Sequence, residues 1–306
     1  MRLAKRAPLR GAFTLIELLV VVSILAMLAA LTIGIIGSVR SGQNAATTDG
    51  TVKKAQLELD QQLKTVSEEA SSVKNQYLPM AMSFCDGDAD RAKSLLFYLY
   101  AKREFPQTFV EARNPLAIPG VGSIPGHKAI PGVGSIPGHK AFADLPLASG
   151  LTPDQEAAVL LYRIVLTKGN KGTSSSEDAF AGAVTTIGAH KAFKDGYGTH
   201  IAFVRWYSPY NGAYYSANAD LQAAPFIAHP TLRDPFDRQG KLQNWGNTTN
   251  RNLCLGVLHN PAGSPTVAFD GFNKVLTVVS AGPDKTFNTA DDVYGFRLNQ
   301  LGGKAN

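Results

Sequence analysis

Two stretches of this chain place oxygen-bearing side chains where they could do chemistry. Glu17 is a lone carboxylate at the head of an apolar run. From Leu18 to Gly37 there are twenty residues without a charge, and only Ser23 and Thr32 carry side-chain polarity. An acid on a membrane-spanning helix costs about 2.5–3.5 kcal/mol near the bilayer centre and less towards the interface, so Glu17 should have a partner. The second stretch is Ser280 to Val293, SAGPDKTFNTADDV, where Asp284, Asn288, Asp291 and Asp292 fall within nine residues. Calcium takes about six to eight oxygens from carboxylates and carbonyls on a flexible loop. The expectation is therefore a calcium site that holds this loop. The competing reading is a polar loop closed by an Asx turn with no ion.

Other combinations carry less. Cys85 and Cys254 are the two cysteines; they form one bridge or remain two buried thiols, and their separation in sequence does not decide which. The run Cys85-Asp86-Gly87-Asp88-Ala89-Asp90 opens like a calcium loop but has Arg91 where a Gly is needed and Phe97 where a Glu is needed. A helix cap by Asp86 or Asp88 fits better. His127 and His139 stand at no short ligand spacing from another His or Cys. There is no HExxH pair, Cys-x-x-Cys, phosphate loop or elbow serine, so nothing reads as an enzyme. A triad assembled in space from scattered Ser, His and Asp stays open. Of the net charge of +6, Arg2, Lys5, Arg6 and Arg10 supply four, leaving +2 for the rest. No basic stripe is interleaved with aromatics, and no nucleic-acid partner is expected.

The elements that must position these groups are set by periodicity. At about 1.5 Å per residue, Leu18 to Gly37 makes a helix of about 30 Å, the thickness of a bilayer's hydrocarbon core. Four basic residues before it and no acid keep the first twelve residues cytoplasmic and export the rest of the chain. The apolar stretch from Phe13 to Gly37 is too long for a signal peptide, and Glu17 falls inside it. Gly34, Gly37 and Gly42 weaken the helix as it leaves the span. Val52, Ala55, Leu59, Leu63, Val66, Ala70, Val73 and Tyr77 then form one apolar stripe, with Pro79 expected to end it. A second helix is expected over Ala89–Arg103, ended by Phe105-Pro106-Gln107-Thr108. Residues 117–140 are the tandem duplication AIPGVGSIPGHK, whose four Pro and six Gly predict a surface loop. Thr152-Pro153-Asp154-Gln155 opens a helix expected to reach Lys168, and a short one follows Ser176. Strands are predicted over Thr199–Tyr207 and Lys274–Ser280, with loop over Tyr210–Trp245 between them. The fold class is α+β: a long N-terminal helix on a small antiparallel sheet, with extra helices and loops inserted. Its parts are residues 1–12, a helix over 13–40, its amphipathic continuation over 41–78, and a head over 79–306.

Phe13-Thr14-Leu15-Ile16-Glu17-Leu18-Leu19-Val20 resembles the cleavage and methylation segment of type IV pilins and type II secretion pseudopilins. The resemblance implies a leader over 1–12, cleavage between Ala12 and Phe13 by a prepilin peptidase, and methylation of the Phe13 amine. Glu17 would then pair with the N-terminal amine of a neighbouring subunit. The family usually has Gly before the Phe; here Ala12 stands there, with Gly11 one step earlier. Phe105-Pro106-Gln107-Thr108 and Asp234-Pro235-Phe236 are similar to short stretches of the core pseudopilins. So is the loop from Ser280: Asp284, Asp291 and Asp292 match the calcium ligands, carbonyls near Ser280 would complete the shell, and Lys285 departs from a common Gly. What the family implies is a filament subunit of a type II secretion pseudopilus, minor or lineage-specific given the large head. Its partners would be other pilin-like subunits and an inner-membrane assembly platform. It would be a single-pass inner-membrane protein with a periplasmic head before assembly. The alternatives are a surface type IV pilin and a membrane-anchored binding domain that never polymerises.

Overall fold

The structure is a computed structural model. It describes residues 15–72, 77–113, 116–117, 135–136, 142–146, 149–166, 175–207, 237, 240–242, 245–251, 275–287 and 289–296. Of these, 31–38, 116–117, 135–136, 206–207 and 275 are described for their backbone alone. The chain divides into two units, residues 1–45 and 46–306.

In the first unit the described residues belong to helix α1, Leu15–Ser71, which is 57 residues long and continues into the second unit. Gly34, Gly37 and Gly42, the residues expected to weaken the helix, all lie inside it, and the backbone is helical through them. Apolar side chains from Leu15 to Leu28 are 49–82 % exposed.

The second unit is built around the continuation of α1 and around α3. Of the predicted stripe, Val52, Ala55, Leu59, Val66 and Ala70 are buried and Leu63 is partly so; Tyr77, also partly buried, lies beyond the end of α1, and Val73 lies outside the described residues. Pro79 does not end α1. The helix stops at Ser71, and Pro79 sits in the first turn of α2, Leu78–Phe84, where the missing N–H costs nothing. Helix α3, Ala89–Glu104, is capped by Asp88, whose carboxylate accepts the Asp90 and Arg91 amides at 3.0 Å each. From Leu95 to Ala101 it is buried on every side, as a helix at the centre of a core must be. Helix α4, Phe109–Arg113, follows a turn in which Thr108 accepts the Glu111 amide. Helix α5, Pro153–Leu166, begins with a reciprocal capping box between Thr152 and Gln155. A single 3₁₀ turn, Glu177–Phe180, follows Ser176.

Among the described residues the strands are short and every pairing is antiparallel. β1 (Leu116–Ala117) pairs β2 (Ser135–Ile136), and β3 (Val184–Ile187) pairs β4 (His190–Phe193) across a turn at Gly188, which has φ +58°. β5 (Ala202–Tyr207), β6 (Val275–Ser280) and β7 (Val293–Tyr294) form a three-stranded sheet in that order. The β3–β4 hairpin was not predicted. The two longer strands were, within one to three residues. The chain is thus a mix of helices and small antiparallel sheets with a long N-terminal helix. The stretch Asp234-Pro235-Phe236 lies outside the described residues.

Candidate functional site

The loop from Ser280 to Val293 joins β6 to β7, and its shape comes from two left-handed residues. Gly282 has φ +66°, and a Cβ there would run into the Asp291 carbonyl, so only glycine fits. Lys285 has φ +61° without being glycine. It is the position at which Lys departs from the Gly common in the core pseudopilins.

The expected ligands separate into two groups. Asp284 and Asp291 come together: the Asp284 amide donates to Asp291 Oδ2 at 3.1 Å. Asp284 Oδ1 accepts the Thr286 amide at 2.8 Å, closing an Asx turn. The Thr289 hydroxyl lies 2.7 Å from Asp291 Oδ1, 3.3 Å from Asp292 Oδ1 and 3.0 Å from the Thr286 carbonyl. Hydrogen bonds from Thr289 and from the Asp284 amide hold the Asp291 carboxyl below its usual range. Asp292 is buried, and its other oxygen accepts the Tyr294 hydroxyl at 3.1 Å. Ser280 is turned away from the loop's acids: its hydroxyl donates to Asp195 Oδ2 at 2.7 Å. Asp195 in turn accepts the Tyr197 and Thr199 amides, which fastens the β6 end to the β4–β5 turn. Among the described residues no three His, Cys, Asp or Glu side chains are placed to hold one metal ion. Two carboxylates, one hydroxyl and one carbonyl do meet around Thr289, an all-oxygen donor set of the kind a hard cation takes.

Cys85 is a buried thiol in the turn between α2 and α3. Burial pushes its pKa up to about 12, against the pull of the Arg91 charge. Asp86, the alternative cap, has φ +55° and accepts the Trp245 indole N–H at 2.6 Å instead. Cys254 lies outside the described residues. In the folded protein Cys85 is expected to resist iodoacetamide at about pH 8, because the thiolate is the nucleophile. Intact mass should show it labelled once the chain is unfolded without reductant. Labelling that requires reduction would mean a bridge.

One charged cluster escaped the sequence reading. Lys102, Glu111 and Arg205 are 7 %, 7 % and 2 % exposed. Arg205 grips Glu111 with both terminal nitrogens at 3.0 Å, Lys102 Nζ lies 3.2 Å from Glu111 Oε1, and the Gln107 amide donates to Oε2 at 2.7 Å. Arg205 also donates to the Phe105 carbonyl at 2.9 Å. Burial lowers the Lys102 pKa, and Glu111 only partly offsets it. The cluster ties α3, α4 and β5 together. It is a buried knot of two cations and one carboxylate.

At the other end of the chain, Glu17 lies exposed in the first turn of α1, among Leu15, Ile16, Leu18 and Leu19 at 61–82 % exposure. Ala12 and Phe13 lie outside the described residues. Among the described residues no helix is long and apolar enough to cross a membrane. The apolar stretch with described side chains, residues 15–30, has sixteen residues, about 24 Å of helix. The expected span to Gly37 continues through 31–38, where the backbone stays helical.

Residues 9–33 match the family described as the prokaryotic N-terminal methylation motif. That motif is the signature of type IV pilins and pseudopilins. This chain carries it. No curated protein and no solved structure matches the chain significantly. The methylation motif spans Ala12, Phe13 and Glu17 together with the apolar residues of the first turns of α1. It stops well before the head, so it says nothing of the loop from Ser280 or of the buried knot.

Proposed function

We propose that this chain is a structural, non-enzymatic subunit of a type II secretion pseudopilus, made as a prepilin and polymerised through its N-terminal helix. One observation carries the reading. A methylation motif runs into a 57-residue helix that presents an acid and a row of exposed apolar side chains. Exposed apolar surface on this scale needs lipid or other helices around it. Before assembly the bilayer supplies the lipid. In a filament, neighbouring copies of the same helix supply the packing, and the Phe13 amine of one copy offsets the Glu17 carboxylate of the next. A prepilin peptidase and an inner-membrane assembly platform are the implied partners. The head, residues 79–306, is large, which favours a minor subunit.

N-terminal mass spectrometry of the protein from its native host tests this. The expected product begins with N-methylated Phe13. An intact Met1, or a cut beyond Gly37, would leave a plain anchor or a secreted domain. A surface type IV pilus is the nearest alternative, and immunogold labelling separates the two by where the filament lies.

The loop around Thr289 extends the proposal. Asp284, Asp291, Asp292 and nearby carbonyls would hold calcium, whose chemistry there is to cross-link the loop and not to react. Adding millimolar calcium to the chelated protein is expected to raise its thermal midpoint, and Asp291→Asn to remove the increment. An unchanged midpoint would leave an Asx-closed loop.

A further inference from the structure

The two long flanks of the three-stranded sheet are each closed by one glutamine side chain, and the two closures have the same form. On the β5 side, the Gln107 amide donates to the Phe203 carbonyl at 2.9 Å and accepts the Arg205 amide at 3.3 Å. On the other side, β7 pairs β6 only at Val279 and Ser280. Where it stops, the Gln56 amide donates to the Leu276 carbonyl at 2.9 Å and accepts the Val278 amide at 2.8 Å. In both places the side-chain amide takes the carbonyl of residue i and the N–H of residue i+2. That is the pair of groups one residue of an added parallel strand would use, and that two residues of an added antiparallel strand would share. Phe203 and Val278 are partners across the sheet, and their bonds to Gln107 and Gln56 turn one backbone group of each outward, on opposite flanks; Arg205 lies where the pairing shifts, between Val204 and Tyr207.

The two glutamines come from different elements and are held differently. Gln56 is 1 % exposed on α1 and also donates to Asp60 at 2.8 Å. It fits because residue 295 is glycine: a Cβ there would collide with the Gln56 side chain. Gln107 sits in the turn before α4, with its own amide bound to Glu111.

We infer that Gln56 and Gln107 are edge guards, which keep a second copy of this chain from adding a strand to the head. An open edge is a template for pairing with another chain, and proteins manage it with covers, charges or bulges. Covering by a side-chain amide satisfies the backbone without offering a continuing edge. Only the need for such guards rests on the filament reading, since subunits crowded in one fibre meet at high local concentration. The hydrogen bonds do not depend on it.

The test uses the full chain in a mild non-ionic detergent. Parent, Gln107→Met, Gln56→Met and the double variant are compared by light scattering over a concentration series and by the intermolecular β-sheet band in the infrared. Methionine keeps the length and removes both hydrogen bonds. The Met variants are expected to associate with rising concentration and to gain that band, while the parent keeps one size. Gln107→Glu is the control. It loses the bond to Phe203 as well, but a charge at an edge itself discourages pairing, so it is expected to stay at the parent's size. Hydrogen exchange in the parent serves even where a variant fails to fold: the Arg205 and Val278 amides should be slowed at least about tenfold relative to unprotected amides. Fast exchange at both, Met variants that keep the parent's size, or Gln107→Glu associating as readily as Gln107→Met, would each overturn the assignment. Processing at Phe13 is read in a separate experiment, so either conclusion can fail without the other.

Discussion

Glu17→Gln is expected to remove this protein from filaments while leaving its amount in the membrane unchanged. Gln keeps the shape and polarity of the side chain and loses only its charge. In a plain anchor that change is harmless, since it removes the one acid from an apolar stretch. In a growing filament it leaves the Phe13 amine of the neighbouring subunit without its counter-ion in a low-dielectric core. Removing one partner of a buried ion pair costs about 3–5 kcal/mol, which corresponds to a fall of about a hundredfold or more in incorporation. Immunoblots of the sheared or pelleted filament fraction, against whole-membrane samples, read both quantities. Undiminished filaments would end the assembly role of Glu17.

The second large effect lies in the head. Glu111 is nearly fully buried and accepts from Arg205, Lys102 and the Gln107 amide. Glu111→Gln leaves two buried cations facing a neutral group, and breaking a buried pair from one side costs about 3–5 kcal/mol. In a unit of this size each kcal/mol moves the thermal midpoint by about 2–4 °C, so a fall of about 6–20 °C is expected by circular dichroism. Lys102→Met should differ in kind. It leaves Arg205 and Glu111 as a one-to-one pair and removes the cation whose burial is least compensated, so the change should stay within about 1 kcal/mol. The pH dependence has the same origin. The Lys102 pKa is lowered in the folded protein, so the cost of burying its charge is fully present below that folded value. The cost is relieved as pH rises through it towards the unfolded value of about 10.4. Stability of the parent should therefore gain on Lys102→Met towards alkaline pH. Equal losses from both substitutions would mean that the knot does not act as a charge cluster.

What could be read from the sequence was whatever depends on neighbours along the chain. Asp88 and the Thr152–Gln155 box announce helix starts because a cap is a local bargain between one side chain and the next turn's amides. The stripe from Val52 to Ala70 was legible because a helix repeats its face every three or four residues. The same locality misled at Pro79, which breaks a helix from inside but opens one from its first turn. The β3–β4 hairpin escaped because TTIGAHKAF has strands of four residues and a mixed pattern on both faces. The Lys102–Glu111–Arg205 knot was invisible for a different reason. Each residue looks like ordinary surface charge on its own element, and only tertiary packing brings them together. Gln56 belongs to the same class: it sits beside the apolar stripe of α1, where a polar residue reads as solvated. Of the residues expected to hold calcium, Asp284 and Asp291 come together within one loop, whereas Ser280 and Asp292 take partners, Asp195 and Tyr294, that no spacing along the loop announces.

The clasp formed by β1 and β2 has a consequence for how this chain can change over generations. It pairs Leu116 with Ile136 and Ala117 with Ser135. Ser135 and Ile136 are the seventh and eighth residues of the second AIPGVGSIPGHK unit, and Ser123 and Ile124 hold those places in the first. Every unit therefore brings its own closing Ser-Ile. Removing one unit shortens the enclosed segment from seventeen residues to five, and adding one lengthens it to 29, with identical residues at the clasp. Doubling a loop costs only about 0.6 kcal/mol of closure entropy. Slippage during replication of the underlying tandem repeat would thus change the length of chain between β1 and β2 in steps of twelve residues, with the same residues left to pair at the clasp.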